Sequence, residues 1–439
     1  MKPIMPLRPF LHVAPAALAS LITACGDAAS PATEPSTDTV ADATEASSDT
    51  VDADAPAPDS SGGDPSADVA QPADAAAEGD TDAAAGEADT STGAADTAAP
   101  ASPWTLLSQP CGSTRVDALH CDDQATCFIG CGQDANGDVG LHRTTDGGAT
   151  WAEPGTTPPA ALAGTRVNSI SRSSDGLLYV AGDLPQKVGV VSLGATGALG
   201  TVWEAGTTTD NSFTAGEFAR AANGVAFVGS LTGFSNMHRL GDSAPWTVGP
   251  RHSVLAVAAQ GDTIYGVGAT ISSPPTVYVS KVDGGAFSFD VVELAASGLG
   301  AFRGELWGVA ADAAGVTVGG VNQDADVGVV FTHSFGSGDA RTAGGWAQYD
   351  LRTLFPGDAS TWIEGICRGD GVIYAVGRES RQNWGIVLRS TDGGATFKDV
   401  SPYEAGVTRS DLPPVYRCQV VSGKLVVAGA GGLFGVYAP

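Results

Sequence analysis

Hydrophobic residues after residue 104 are arranged in short runs, and one pattern recurs along the chain. A short, mostly aliphatic or aromatic run that finishes with a glycine occurs seven times, at residues 128–132, 179–182, 227–229, 265–268, 316–319, 374–377 and 426–429. Apolar and polar residues alternate around these runs, and no long stretch has the 3.6-residue period of a helix. The pattern predicts an all-β domain that is built from a repeated unit of short strands and turns.

An aromatic residue follows each later turn of the repeats, and its spacing predicts how the domain closes. The six aromatics are Trp151, Trp203, Trp246, Phe289, Trp346 and Phe397. A seventh is missing at the C-terminal end, and Trp104 stands at the other end of the domain instead. We therefore expect 104–108 to form the outermost strand of the last repeat, beside strands at 415–421, 424–429 and 432–437. Seven repeats in 104–439 have about 48 residues each, enough for four short strands.

Two copies of one phrase, TTDGGATW at 144–151 and STDGGATF at 390–397, lie far apart in this domain. They resemble the Asp-box, a hairpin turn between the two outer strands of a blade in sialidase-like (BNR-repeat) β-propellers. The resemblance implies turns that are structural and lie away from the substrate face. In such a turn the carboxylate accepts backbone N–H bonds, glycine allows positive φ, and the aromatic packs between neighbouring blades. The residues in these roles are Asp146, Gly148, Thr150, Trp151, Asp392, Gly394, Thr396 and Phe397.

The repeats and the resemblance together predict a seven-bladed β-propeller over residues 104–439. Six or eight blades are the alternatives, because the repeats near Pro245 and Val316 are degenerate. A weaker copy of the box, at 282–287, marks the fourth blade. The repeats are also similar to those of photosystem II stability and assembly factors, which are seven-bladed Asp-box propellers. That resemblance implies a propeller that binds a protein.

Catalysis is the alternative function that the sialidase resemblance raises. Sialidases use an arginine triad, a Tyr–Glu nucleophile pair and an acid/base Asp, and they carry an Arg-Ile-Pro motif that this sequence lacks. Arg172, Arg368 and Arg417 fall on or just after expected innermost strands, as do Tyr416 and Glu364. Polar residues are ordinary in a water-filled channel, so we expect no catalytic residue and no enzyme. A divergent sialidase-like glycoside hydrolase, with paired carboxylates, is the alternative.

Residues 1–25 have the features of a bacterial lipoprotein signal. A basic start precedes an apolar stretch at 10–24 that is too short and proline-interrupted for a membrane-spanning helix. The string Leu-Ile-Thr-Ala-Cys that ends it resembles a lipobox, which implies lipidation of Cys25. Ordinary secretion with cleavage nearby is the alternative. Gly26 follows the cysteine directly, which favours the outer membrane, on a periplasmic or surface face.

Residues 26–103 read as a disordered acidic linker. They carry 18 of the 49 acidic residues and no Lys, Arg or aromatic residue, so they cannot bury enough apolar surface to fold. A passive tether is the favoured interpretation, with a glycosylated stalk or a calcium-sequestering tail as alternatives. The net charge of −27 and the lack of a basic stripe argue against nucleic acid and anionic lipid as partners.

Cysteine number favours disulfides in the exported domain. Six cysteines remain if Cys25 carries lipid, and an even number outside the cytoplasm indicates pairing. A zinc site is the alternative, but histidines near these cysteines are sparse. The six residues are Cys111, Cys121, Cys127, Cys131, Cys367 and Cys418.

The pairing follows from both resemblance and repeat position. The Cys-x5-Cys hairpin of Cys121 and Cys127 is similar to one in bacterial propellers of this type, and that resemblance implies this bridge. Cys367 and Cys418 hold equivalent places on the innermost strands of adjacent repeats, which favours a second bridge. The pair left by elimination is Cys111 with Cys131.

One loop has a weak calcium pattern. Asp134, Asn136 and Asp138 place oxygen ligands at alternate positions, but the distal bidentate Glu of an EF-hand is missing. The Asn-Gly pair is equally a hairpin turn signal. We expect no cofactor, with calcium as the alternative.

These features predict a monomeric, lipid-anchored propeller at the cell envelope. The expected role is a non-catalytic binding or scaffold module whose partner is an envelope protein or a glycan. A structural, adhesin-like role comes third, after the hydrolase.

Overall fold

A computed structural model describes the chain from residue 102 onward, with gaps. The described ranges are 102–132, 140–152, 166–173, 176–184, 187–193, 199–204, 215–230, 236–239, 246–247, 252–270, 274–283, 286–294, 302–355, 360–405 and 407–439. All of them belong to the compact unit Gly93–Pro439. Cys25, nearly all of the linker and the calcium candidates Asp134, Asn136 and Asp138 lie outside the described residues, so those expectations remain predictions.

Antiparallel strands make up most of the described chain. The first eight are β1 (Trp104–Ser108), β2 (Val116–Cys121), β3 (Cys127–Cys131), β4 (Gly140–Thr144), β5 (Val167–Arg172), β6 (Leu178–Leu184), β7 (Lys187–Leu193) and β8 (Leu199–Glu204). The next eight are β9 (Ala215–Arg220), β10 (Ala226–Ser230), β11 (Asn236–Arg239), β12 (Trp246–Thr247), β13 (His252–Gln260), β14 (Thr263–Thr270), β15 (Thr276–Asp283) and β16 (Ala286–Glu293).

The C-terminal part of the chain continues in the same way. Its strands are β17 (Gly304–Asp312), β18 (Gly315–Asn322), β19 (Val327–Ser334), β20 (Trp346–Asp350), β21 (Thr361–Gly369), β22 (Val372–Glu379), β23 (Trp384–Ser390), β24 (Lys398–Asp399), β25 (Val415–Val421), β26 (Lys424–Gly429) and β27 (Leu433–Tyr437). Short 3-10 helices lie between some of them, at Phe335–Ser337, Ala343–Gly345, Leu351–Thr353, Pro402–Ala405 and Arg409–Asp411. Among the described residues, no helix is both long and apolar enough to span a membrane.

The strands pair as successive meanders. Four-stranded sheets form from β5 to β8, from β9 to β12 and from β21 to β24, and a three-stranded sheet forms from β2 to β4. Strands β13 to β20 belong to one eight-stranded sheet. Within it, β13–β16 and β17–β20 are consecutive meanders that are joined by the single pair Ala269 and Glu305.

The glycine-ended runs of the sequence all fall on the second strand of a meander, namely β3, β6, β10, β14, β18, β22 and β26. Close approach of the first strand explains the glycine. A Cβ at Gly377 would lie 1.9 Å from the carbonyl oxygen of Trp362, and one at Gly429 would lie 2.1 Å from that of Pro414. Any larger residue would therefore push the first strand away.

The first strands of the meanders form a ring. Strands β2, β5, β9, β13, β17, β21 and β25 each contact the next in this order, and β25 contacts β2. All seven line one central cavity of about 210 Å³. We call them the innermost strands. This radial arrangement of meanders around a central channel is a β-propeller, as expected for the all-β domain.

The two ends of the described chain close the ring together. The last sheet has the order β1-β27-β26-β25, and β1 pairs with β27 from Trp104 opposite Tyr437 to Ser108 opposite Leu433. The expected closing strand is confirmed, although the last strand begins at Leu433 rather than at residue 432. Closure leaves no open edge at this seam.

Apolar cores lie between neighbouring sheets. One contains Val327, Ile363 and Ile386, and another contains Tyr374, Val427 and Trp104. Disulfides are confirmed, and the three pairs are those favoured above: Cys111–Cys131, Cys121–Cys127 and Cys367–Cys418. The last of them links β21 to β25 across two adjacent sheets, whereas Cys121–Cys127 closes the hairpin between β2 and β3.

Candidate functional site

Every innermost strand carries a β-bulge near its start, where one extra residue lies opposite the second strand. In β9 the extra residue falls at 216–217, opposite Gly229. A bulge bends the strand and redirects its side chain, and bulges are common beside functional sites. The extra residues of the other six strands are Asp117, Asn168, Leu255, Trp307, Glu364 and Tyr416. The repeats thus place a set of equivalent, variable side chains around one end of the channel.

Asp117 is the most tightly held of these side chains. Arg115 Nε lies 2.6 Å from its Oδ1 and Arg166 Nε lies 2.8 Å from its Oδ2, while the carboxylate itself is buried. Arg417 Nε donates a hydrogen bond to the Asp117 carbonyl oxygen at 2.5 Å. A buried carboxylate is stable only with such partners, so Asp117 fixes the arginines as much as they stabilise it.

Glu364 repeats this arrangement on the far side of Arg115. Its side chain is buried, Arg115 Nη2 lies 3.5 Å from Oε2, and Arg378 Nε lies 3.1 Å from Oε1. Arg115 therefore joins two carboxylates that belong to the first and last parts of the domain. We call Arg115, Asp117, Arg166, Glu364 and Arg378 the mouth cluster. It has three positive groups and two negative ones.

Two of these arginines stack on aromatic rings. The guanidinium carbon of Arg115 lies 4.2 Å from the ring centroid of Tyr416, and that of Arg378 lies 4.7 Å from Trp362. Trp362 in turn contacts Trp307, with ring centroids 5.1 Å apart. Burial raises the pKa of Tyr416, and the two arginines oppose this shift, so the phenol stays neutral. The Arg115 side chain is still 40% exposed and that of Arg378 22% exposed, so both can meet a ligand.

The cavity continues inward from the mouth cluster. Asp117, Asn168, Glu217 and Arg417 are among its lining residues. Arg417 Nη2 lies 3.8 Å from Glu217 Oε1. Burial raises the pKa of the Glu217 carboxyl, and Arg417 offsets part of that shift. The channel is therefore polar, but its charged groups are already directed at each other.

The partly exposed arginines of the mouth cluster can bind an oxygen-bearing group of a ligand. Arginine N–H groups that are held by stacking and by buried carboxylates form charge-assisted hydrogen bonds to carbonyl or carboxylate oxygens with little loss of freedom. Asp117 accepts a hydrogen bond from Arg166 and Glu364 accepts one from Arg115. Arg115 and Arg378 add close ion pairs to Asp117 and Glu364, respectively.

The arginines expected for a hydrolase are not brought together. Arg172 bonds Asp122 at the end of β5, and Arg368 Nη2 lies 3.1 Å from Asp312 near the end of β21. Both lie where their strands end, whereas the mouth cluster lies where the innermost strands begin. Of the three, Arg417 alone lines the cavity. All three arginines lie on innermost strands, as expected from the sequence.

Tyr416 and Glu364 do converge, but on an arginine. Arg115 stacks on the Tyr416 ring and also pairs with Glu364, so its guanidinium contacts both residues. A sialidase nucleophile pair needs the tyrosine hydroxyl to be activated by the glutamate. Here Glu364 is directed at Arg115 and Arg378 instead.

The turns at residues 144–151 and 390–397 have the same internal bonds. In each, the hydroxyl of Thr144 or Ser390 accepts the N–H of the second glycine at 2.9 Å. The aspartate accepts the backbone N–H four residues later, also at 2.9 Å. Hydrogen bonds lower the pKa of Asp146 and of Asp392 to about 2, and the largest contribution comes from Thr150 and Thr396, respectively.

The aromatic residue of each turn packs against an outer strand of an adjacent sheet. Trp151 meets Phe434 of β27 edge-on with ring centroids 5.1 Å apart, and Phe397 lies 5.1 Å from Tyr349 of β20. Gly148 and Gly394 have positive φ, as expected. The turns lie at the outer strands, away from the mouth cluster, so they do not supply its side chains.

Sequence reasoning missed most of the mouth cluster. Arg115, Asp117, Arg166 and Arg378 were not singled out, and neither was Trp362. A signal for the bulges is present: an aliphatic residue, one variable residue and then a small residue recur as VDA, VNS, VLA, LWG and IEG at 116–118, 167–169, 254–256, 306–308 and 363–365. The variable middle residue of each triplet is the bulge residue.

Comparisons with known proteins show the fold alone. No family model matches the chain, and no curated protein matches it. A solved structure described as "YCF48 bound to D1 peptide" has a TM-score of 0.50 and 13% identity, and the match covers 77% of this chain and 98% of that one. YCF48 from Cyanidioschyzon merolae gives a TM-score of 0.50 at 13% identity, covering 76% and 99%.

A third structure, described as RRP9 WD40 repeats, is similar to the same degree. Its TM-score is 0.50 at 11% identity, and the match covers 76% of this chain and 97% of the other. These likenesses support a β-propeller that spans nearly the whole length of each neighbour. Because one fold carries many functions, ligand and chemistry have to be argued from the site.

Proposed function

We propose that this chain is a seven-bladed Asp-box propeller that acts as a non-catalytic binding module and takes a segment of a partner protein at the mouth cluster. The seven innermost strands around one cavity support the blade count, with the eight-stranded sheet taken as two blades. One observation carries the binding role. An equivalent bulge on every innermost strand presents a different side chain at the same end of the ring.

The choice of a protein partner rests on what the mouth cluster offers. Flat, partly exposed guanidinium groups beside Trp307 and Trp362 suit carbonyl and carboxylate oxygens of a peptide together with its apolar side chains. Tryptophan and arginine are the residues that most often dominate protein interfaces. YCF48, which is similar in fold, has been solved bound to a peptide.

The proposal places this module at the cell envelope. A basic start, an apolar stretch and a lipobox-like ending at Cys25 support a lipid anchor, and the acidic linker would then separate the propeller from the membrane. Labelling cells with radioactive palmitate tests the anchor. The full chain should incorporate label, and the Cys25→Ser variant should not. Equal labelling of both chains would contradict the anchor.

Site-directed photo-crosslinking tests the binding face. The full-length chain carries a photoreactive residue at Trp307, beside the mouth cluster, or at Val291, which is 46% exposed on an outer strand. Irradiated cells should give a discrete cross-linked protein from position 307 and none from position 291. Arg115→Gln should reduce its yield about tenfold, since a charge-assisted hydrogen bond is lost. Arg303→Gln, an exposed arginine paired with Asp324, is the matched control and should change nothing.

Two results would contradict the proposal. Identical products from both positions would show that the contacts are non-specific. Release of a fluorogenic sugar by the purified full chain, lost in Glu364→Gln, would replace the binding role with hydrolysis.

A further inference from the structure

A second aromatic cluster lies beside the mouth cluster and already holds a cation. Trp384 opens β23, Tyr403 lies in the helix Pro402–Ala405, and Arg409 opens the helix Arg409–Asp411. The guanidinium carbon of Arg409 lies 4.6 Å from the ring centroid of Trp384 and 5.2 Å from that of Tyr403. The two rings are 6.3 Å apart and tilted by 42°. We call the surface that the two rings form, against which Arg409 packs, the aromatic cleft.

The protein interior fixes both rings. The Tyr403 hydroxyl donates to the carbonyl oxygen of Gly385 at 2.7 Å, and Trp384 Nε1 donates to Glu379 Oε2 at 2.8 Å. Glu379 is buried and also accepts the backbone N–H of Gln382. Burial raises the pKa of Tyr403 to about 12, so the ring carries no charge. The walls of the cleft are thus rigid, and their ring faces attract positive charge.

The occupant, in contrast, is loosely held. The Arg409 side chain is 54% exposed, and its ion pair with Asp399 is long, at 3.7 Å. Exposed pairs of this kind contribute little to stability. The rings are held by hydrogen bonds to the protein interior, whereas Arg409 is held only by stacking and by one long ion pair.

The surroundings of the cleft favour a cation from outside. Two carboxylates lie beside it: Asp399, 3.7 Å from Arg409, and Glu379, which accepts the Trp384 indole N–H. A field of this sign attracts basic segments of a partner. A planar guanidinium stacks on tryptophan better than an ammonium group does.

From these contacts we propose that the aromatic cleft binds an arginine side chain of the partner protein, which displaces Arg409 from Trp384 and Tyr403. This inference rests on the proposed binding function and adds the basic residue that the partner must carry. The hairpin between β22 and β23 connects the two sites. It carries Arg378 of the mouth cluster at one end and Trp384 of the cleft at the other, and Arg378 Nη1 bonds Asn383 Oδ1 at 3.2 Å.

Ligand-observed NMR with N-acetyl-arginine amide tests the cleft directly on the full chain. Arg409→Gln should lower the Kd for this probe about two- to fivefold, since the internal competitor is gone. Arg352→Gln, another exposed arginine paired with a carboxylate, is the matched control and should leave the Kd unchanged. N-acetyl-citrulline amide has the same shape without the charge and should not bind.

The aromatic wall is tested in the Arg409→Gln background. Adding Trp384→Leu should abolish binding of the arginine probe, and adding Trp384→Phe, which keeps packing, should weaken it by an intermediate amount. An unchanged Kd in Arg409→Gln, or equal binding of the citrulline probe, would overturn the inference. Arginine binding without a cross-link at position 307 would retain the cleft and reject the mouth cluster, so the two proposals fail separately.

Discussion

Trp104 of β1 lies opposite Tyr437 of β27, and their ring centroids are 5.0 Å apart. The indole Nε1 of Trp104 also donates to the carbonyl oxygen of Val400 at 2.7 Å, beyond the end of β24. One side chain at the start of the domain therefore ties the last sheet to the sheet before it. This hydrogen bond joins residues that are 296 positions apart in the sequence.

Replacing Trp104 should open the seam. We expect Trp104→Ala to lower the free energy of unfolding by about 3–5 kcal/mol, because a large buried side chain and its hydrogen bond are lost. Urea denaturation of the full chain measures this. Leu106→Ala on the same strand, where the side chain is 37% exposed, is the control and should cost under about 1 kcal/mol. Equal losses would mean that Trp104 has no special role in closure.

The two glycines of the turn at residues 390–397 should differ in their tolerance of alanine. Gly393 and Gly394 both have positive φ, so a Cβ at either costs about 1–2 kcal/mol. A Cβ at Gly393 meets nothing within 4 Å, whereas one at Gly394 would lie 2.3 Å from Thr332 Cγ2 of β19. Gly394→Ala should therefore destabilise the protein by at least about 1 kcal/mol more than Gly393→Ala in thermal unfolding. The reverse order would show that this turn does not pack on β19.

The carboxylates of Asp146 and Asp392 should make the stability of the protein depend on pH in the acid range. The pKa of Asp392 is lowered to about 2 in the folded state, against about 3.9 in an unfolded chain. Its ionised form therefore stabilises the fold above pH 4, and this contribution is lost as the pH falls through 2. The difference in unfolding midpoint between wild type and Asp392→Asn should be largest at neutral pH and shrink between pH 4 and 2. Asp146→Asn should behave alike, and a difference that does not vary with pH would contradict this origin.

Two of the three disulfides close loops of very different length and should contribute unequally to the free energy of unfolding. Cys367–Cys418 closes 51 residues and Cys121–Cys127 closes 6. Loop entropy alone gives about 4 kcal/mol for the first and about 2 kcal/mol for the second. Denaturation of the two double-alanine variants in the absence of reductant measures each. A larger loss for the hairpin pair would mean that local packing, and not chain entropy, determines their effect.

The strand order and the closing strand could be predicted from the sequence because both depend on local patterns. Glycine after an aliphatic run marks the second strand, since Gly377 and Gly429 leave no space for a Cβ. The missing seventh aromatic identified Trp104 as part of the last sheet. Both inferences used residue types whose role is the same in every repeat.

The mouth cluster was not predictable in the same way. Arg115 and Glu364 are 249 positions apart and meet only because the ring closes. Their partners, Asp117 and Arg378, come from different strands, and no spacing in the sequence links them. The bulge that redirects Asp117 and Glu364 is a backbone feature, and its triplet pattern becomes visible once the register is known. Repeats determine where a side chain lies, but not which charge it carries.

The bulge positions separate recognition from folding. At five of them an aliphatic residue precedes the bulge residue and a small residue follows it, while the bulge residue itself is Asp117, Asn168, Leu255, Trp307 or Glu364. A lineage that retains those neighbours can change its ligand one position at a time without rebuilding the scaffold. For an engineer, these positions are a ready-made library for selecting new binders.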